Sequence, residues 1–182
     1  MKRLFVAIDL PQSVTELLVS LNPHLPGVRW MKPEQMHLTV SFLGNVPPMT
    51  EEDFRDRLSA IRFSSFFMPV SGVGSFPSKG APRVLWAGVG KGHPQLFHMH
   101  KRVQEAALGA GLEPELRAWH PHVTIGRCRD VSAESVRPFL KKNAEFDAGF
   151  VRVESFSLYS SIPGPLGSAY TRELEVHSSA GS

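Results

Sequence analysis

Apolar residues fall along this chain in short runs set between turn residues, interrupted by longer stretches with helical spacing. Leu4 to Ile8 predicts a buried strand ending at Pro11, and Ser13 is a candidate cap for a helix running through Leu21. Val28 to Met31 leads into a strand carrying His37, which stops at Gly44-Asn45. Thr50 reads as the next N-cap, with Asp53 at the third position and Leu58 and Ile61 on a helical face. Phe66 to Val73 and Arg83 to Val89 predict strands joined by the turn-rich segment Pro77 to Pro82. His93 to Leu112 is the longest helical pattern, with Met99, Val103, Ala106 and Ala110 on one stripe. A second histidine strand follows around His122, and then Ser132 can cap a short helix that Pro138 must distort or end. Phe150 to Tyr159 and Ala169 to Val176 predict two last strands, and residues 177–182 a flexible tail.

One tetrapeptide pattern occurs twice, His37-Leu38-Thr39-Val40 and His122-Val123-Thr124-Ile125, 85 positions apart. Strand side chains alternate faces, so His37 and Thr39 share one face while Met36, Leu38, Val40 and Phe42 take the other. His122 and Thr124 pair in the same way against Val123 and Ile125. A second echo follows. Val73-Gly74-Ser75-Phe76, a loop and a strand come after the first motif; Val153-Glu154-Ser155-Phe156, a loop and a strand come after the second. Each half thus reads as histidine strand, helix, strand, loop, strand. The pattern predicts two related lobes whose His-Thr pairs meet in one cleft, within a single domain over residues 1–176.

The 182 residues are enough for one ordinary domain, and 42% hydrophobic with 20% charged residues is normal for a globular chain. A net charge of +3 agrees with an anionic partner such as RNA but is weak by itself. Cys128 is the single cysteine, so no intramolecular disulfide and no cysteine-based zinc site can form. The apolar stretch after Lys2-Arg3 ends at Asp9, too short for a secretory signal, and no segment reaches membrane-span length. A reducing, cytoplasmic setting without membrane association is expected.

Two histidines across a cleft suit phosphodiester cleavage without a metal or cofactor. Near neutrality one imidazole can accept the nucleophile's proton while the other protonates the leaving oxygen. Threonine hydroxyls and an arginine can hold the phosphate oxygens where charge gathers. Arg127, five residues after His122, is the candidate clamp, but strict alternation aims it away from His122, Thr124 and Gly126. A local irregularity at Gly126 is therefore expected. His120 is expected at the entrance of the strand, His98 and His100 as solvated or packing residues, and Trp30, Trp86, Trp119 and Phe42 as core residues before base-stacking ones. Ser41 shares the His37 face but lacks the setting of a nucleophile elbow.

His37-Leu38-Thr39-Val40-Ser41-Phe42-Leu43-Gly44 and His122-Val123-Thr124-Ile125-Gly126-Arg127 resemble the paired signatures of the 2H phosphoesterase superfamily. The similarity is strongest to the RNA 2′,3′-cyclic phosphodiesterases, also called 2′-5′ RNA ligases. It extends over nearly the whole chain, through Arg3-Leu4-Phe5-Val6-Ala7-Ile8, Trp30, Arg83-Val84-Leu85-Trp86 and Leu158-Tyr159-Ser160-Ser161. The resemblance implies a bilobal α+β fold, with antiparallel sheets lining a central cleft and helices outside. It implies metal-independent hydrolysis of RNA 2′,3′-cyclic phosphate ends to 2′-phosphates, and 2′-5′ joining by the same groups in reverse. On this resemblance His37 protonates the departing 3′ oxygen, His122 activates water, and Thr39, Thr124 and Arg127 bind the phosphate. The expected partner is such an RNA end or a related nucleotide, and the expected state a monomer. The same chemistry on a small cyclic nucleotide, and a non-catalytic RNA-binding module, stay open at this point.

Overall fold

In the computed structural model, which describes residues 1–113 and 115–179, nine strands and four helices follow one another. They are β1 (Lys2–Asp9), α1 (Gln12–Ser20), β2 (Val28–Trp30), β3 (His37–Val46), α2 (Pro48–Ser59), β4 (Phe66–Phe76) and β5 (Val84–Gly88), then α3 (Pro94–Gly109), β6 (Val123–Cys128), α4 (Ala133–Lys142), β7 (Asp147–Val153), β8 (Ser155–Ile162) and β9 (Ala169–His177). The strands pair antiparallel in the order β7-β4-β5-β6-β3-β1-β8-β9, with β2 added to β6. The two middle strands touch through a single backbone pair, Leu38 opposite Val123. That narrow join divides the sheet into a lobe of four strands, β3-β1-β8-β9, and one of five, β6-β5-β4-β7 with β2 added to β6, which gives the expected bilobal α+β fold.

Each lobe is wound from both halves of the sequence. The β4-β5 hairpin follows the first histidine strand along the chain but pairs beside the second, β6. The β8-β9 hairpin follows the second motif but reaches the first through β1. The echoing segments are therefore real as hairpins yet exchanged between lobes, so halves of the sequence and lobes of the fold do not coincide.

The core is continuous across the join and includes Leu38, Val40, Leu85, Val123, Ile125 and Leu158, all with essentially no exposed surface. Burying apolar side chains this completely contributes roughly 1.5–3 kcal/mol each. Leu96, Met99, Val103 and Ala107 seat α3 on this core, and Phe54 and Leu58 seat α2.

Several boundaries depart from the sequence reading. Proline, not a hydroxyl residue, precedes α1 and α2: Pro11 and Pro47 are the N-caps, and Thr50 lies inside α2. Pro48 and Pro94 occupy N1, where the missing N–H costs nothing and the fixed φ suits the helix. Ser132 caps α4 as expected, accepting from the Ser135 amide at 3.2 Å. Pro138 sits inside α4 without ending it. The hydrogen bond it forfeits belongs to the carbonyl of exposed Glu134 in the first turn, where water can serve. The expected strand from Phe150 to Tyr159 is two strands broken at Glu154, where the chain crosses from one lobe to the other. At the C-terminus β9 runs through His177, and the Ser178 and Ser179 amides donate to the Glu154 and Phe63 carbonyls. The fold thus extends past residue 176, and the rest of the expected tail, residues 180–182, lies outside the described residues.

Candidate active site

The Leu38–Val123 pair fixes how the two motifs meet. Continuing its antiparallel register by one residue each way sets His37 against Thr124 and Thr39 against His122. The histidines then stand on a diagonal, a relation that separates side chains by about 7–8 Å. All four side chains, with Arg127, line one cleft of ≈ 390 Å³ that also receives Arg3, Phe5, Phe42 and Tyr170.

Both histidine strands are interrupted by the same device at the same motif position. On β3, Ala7 faces Thr39 and Val6 faces Ser41, so Val40 is an extra residue. On β6, Trp86 faces Thr124 and Leu85 faces Gly126, so Ile125 is the extra one. Both are the residue directly after the threonine. A bulge reverses the alternation beyond it. Arg127 therefore joins Thr124 on the cleft face, which its exposure and its cross-strand partner Val84 at the cleft wall both reflect. The irregularity expected at Gly126 is thus at Ile125, one position earlier.

The bulge on β3 overturns two sequence expectations. Phe42, assigned to the core face, is 64% exposed at the cleft rim, and Ser41, assigned to the His37 face, is buried with no partner for its hydroxyl among the described residues. Five residues after each histidine, one strand therefore presents an aromatic ring and the other a guanidinium.

The two imidazoles have different surroundings. His37 stacks on Phe5 with ring centroids 5.0 Å apart and meets Tyr170 edge-on at 5.4 Å. Behind this aromatic box, Asp9 accepts from the Tyr159 hydroxyl at 2.6 Å and from Arg172. Burial pushes the His37 imidazole down to about 4; the Asp9 charge opposes this and Arg127 adds to it. Partial burial and the Asp9 carboxylate push the Tyr159 phenol up to about 12, against the pull of Arg172.

His122 meets Phe76 edge-on at 4.9 Å, and its Nδ1 lies 2.7 Å from the His120 carbonyl oxygen. A carbonyl can only accept, so Nδ1 carries the proton and Nε2 offers its lone pair. Burial, with Arg127 and the His120 ring, holds His122 below the ordinary histidine value, and the bond to the carbonyl resists that shift.

Other side chains fall where sequence reasoning only partly placed them. His120 acts on His122 through both its backbone carbonyl and its ring. His98 is exposed, whereas His100 stacks flat on Trp119 at 4.2 Å beside the cleft. Trp30 belongs to the packing: its indole donates to the Leu18 carbonyl at 3.0 Å and meets Phe139 edge-on. Trp86 lies along the cleft-facing side of β5 over Gly74, where any Cβ would come within 2.1 Å of its ring. Arg3, Phe5 and Tyr170 are not assigned to the site by the sequence, since they come from strands at opposite ends of the chain. Among the described residues, no group of three or more His, Cys, Asp or Glu side chains is placed to hold a metal ion, and no helix is long and apolar enough to cross a membrane.

Two His-x-Thr strands meeting at one residue pair and sharing a basic cleft define a 2H phosphoesterase. The family model described as LigT like Phosphoesterase matches residues 8–86 and 89–170, and the chain belongs to that family. It is 34% identical to the RNA 2′,3′-cyclic phosphodiesterase of Archaeoglobus fulgidus over 96% of this chain and 98% of the relative. With the protein of the same name from Thermotoga maritima it shares 32% identity, covering 92% and 91% of the two chains. The crystal structure of Escherichia coli LigT complexed with 3′-AMP superposes with a TM-score of 0.83 at 26% identity, covering 98% of both chains.

Proposed function

We propose that this chain opens RNA 2′,3′-cyclic phosphate ends to 2′-phosphates, without a metal, with His122 as the base that activates water and His37 as the acid that protonates the leaving oxygen. The diagonal placement of two imidazoles, each opposite a threonine hydroxyl in one cleft, carries the proposal. His122, its Nε2 free because Nδ1 is committed to the His120 carbonyl, takes a proton from water. The water oxygen bonds to phosphorus, the bond from phosphorus to the 3′ oxygen breaks, and His37 protonates that oxygen. Thr39, Thr124 and Arg127 hold the remaining phosphate oxygens as charge builds on them. His37 is neutral in the free protein, so the bound phosphodiester anion must draw a proton onto it.

A 5′-hydroxyl in place of water makes a 2′-5′ linkage by the same transfers. Phe42, exposed at the rim, is the ring best placed to stack on the terminal base. The two lobes act as one unit, since the cleft takes Arg3 from one end of the chain and Tyr170 from the other. The enzyme works as a cytoplasmic monomer. The names carried by the curated relatives support this activity. The test is an end-group assay on cyclic-phosphate RNA in chelator. A 2′-phosphate formed at an undiminished rate is expected; a 3′-phosphate product, or a rate lost to chelator and restored by a divalent cation, overturns the proposal.

A further inference from the structure

Next to the catalytic cleft lies a second cavity of ≈ 450 Å³ that shares Arg3, Arg127 and Tyr170 with it. Arg29 is the new charged member. It sits directly across from Arg127 on the neighbouring strand, so both guanidiniums project from one face. No carboxylate lines this cavity, and none of the three arginines forms an ion pair among the described residues. Elsewhere Arg55, Arg57, Arg152 and Arg172 each meet an acid. Three unneutralised guanidiniums at close range repel one another, a cost that an anionic ligand removes. Their joint field also reaches Tyr170, whose phenol burial pushes up and all three arginines pull back.

The outer wall is the β8–β9 connection, and it is fixed in place. Arg29 donates to the Leu166 carbonyl at 3.3 Å, and buried Gln35 donates to the Ser168 carbonyl at 3.1 Å. Gly167, at φ +108°, lets the loop close over them: a Cβ there would fall 2.5 Å from the Arg29 guanidinium and 2.6 Å from the Gln35 amide. The cavity shares no lining residue with the aromatic surface of Phe76, Trp119 and His100.

We propose that this cavity is a subsite for a second phosphate of the substrate, one nucleotide unit from the cyclic phosphate, held by Arg29 and Arg3. It rests on the cyclic phosphodiesterase reading and narrows it to substrates with a phosphate on the 5′ side of the terminal nucleoside. That phosphate can be the phosphodiester of an RNA chain or a terminal 5′-phosphate, since a guanidinium fork recognises both.

The test compares kcat/KM on three substrates: a nucleoside 2′,3′-cyclic phosphate with a 5′-hydroxyl, the same compound with a 5′-phosphate, and a dinucleotide ending in the cyclic phosphate. The protein should favour at least one phosphate-bearing substrate by about tenfold or more over the 5′-hydroxyl compound, the range of a charge-assisted hydrogen bond. Preference for the dinucleotide alone identifies the backbone diester as the ligand; preference for the 5′-phosphate alone identifies the terminal group. Arg29→Gln should reduce the preference to within about threefold, Arg3→Gln should lower it partly, and Lys142→Gln should leave it intact. Equal use of the three substrates by the unaltered protein overturns the subsite. So does an Arg29→Gln variant that keeps the preference, even if all three rates fall together. Affinity ratios for the corresponding 2′-phosphate compounds, measured by calorimetry, read the same preference without turnover, so loss of the subsite is distinguishable from absence of hydrolysis.

Discussion

The two histidine strands are the same device with different fittings. Each carries His-x-Thr, each has its extra residue right after the threonine, and each turns the fifth residue after its histidine into the cleft. On β3 that residue is Phe42; on β6 it is Arg127. His37 is enclosed by Phe5 and Tyr170, whereas His122 leans on a backbone carbonyl. A repeated backbone geometry thus sets where the groups stand, and the divergent side chains give one strand an exposed ring and the other a guanidinium. On the proposed mechanism the pose of the bound phosphate decides which imidazole meets water and which meets the leaving oxygen.

The largest test of the comparison removes each histidine in turn. His37→Ala and His122→Ala should each lower kcat on a cyclic-phosphate RNA by about 10²- to 10⁴-fold, the usual worth of one positioned acid or base. A loss under tenfold from either would leave one strand a bystander. The fifth-residue pair comes next. Arg127→Met should cut kcat/KM by roughly 10- to 100-fold through loss of a charge-assisted contact, and Phe42→Ala should act through KM and by less than tenfold. Comparable losses in kcat from both would break the division between clamp and stacking surface.

Much of this site is visible in the sequence, and the rest is hidden for identifiable reasons. Spacing alone places His37 with Thr39 and His122 with Thr124, since two residues along a strand share a face. It cannot aim Arg127 or Phe42, because a bulge is set by pairing with β5 and β1 and leaves no mark in the strand's own alternation. The crossing at Glu154 is legible in hindsight: Val151 and Val153 are buried at odd positions, Phe156 and Leu158 at even ones, and that change of phase marks a break. The exchange of hairpins between lobes is not legible, since it depends on which edges the strands find. Tyr170 becomes a neighbour of Arg3 only through that exchange, because β9 reaches β1 by way of β8.

Smaller effects separate the two imidazoles by their titration. In the free protein His37 should stay neutral down to about pH 4, and NMR of the ring nitrogens should show its protonation shifted upward when inorganic phosphate fills the cleft. An unchanged titration would sever His37 from the phosphate. The smallest effect is on stability. The unfolded chain protonates His37 near the ordinary 6.5 and the folded chain only near 4, so native stability should decline as pH falls across that window and level off below it. In His37→Asn that part of the decline should vanish from urea titrations, while the contribution of His122 persists.

The central claim, that the unequal strands supply one acid and one base, is tested most directly by sulfur at the leaving position. In a 2′,3′-cyclic substrate whose bridging 3′ oxygen is sulfur, the departing thiolate needs no proton. His37→Ala should then recover to within about tenfold of the unaltered protein, while His122→Ala stays as impaired as on the oxygen substrate. Recovery of His122→Ala instead, or of neither variant, would contradict the assignment.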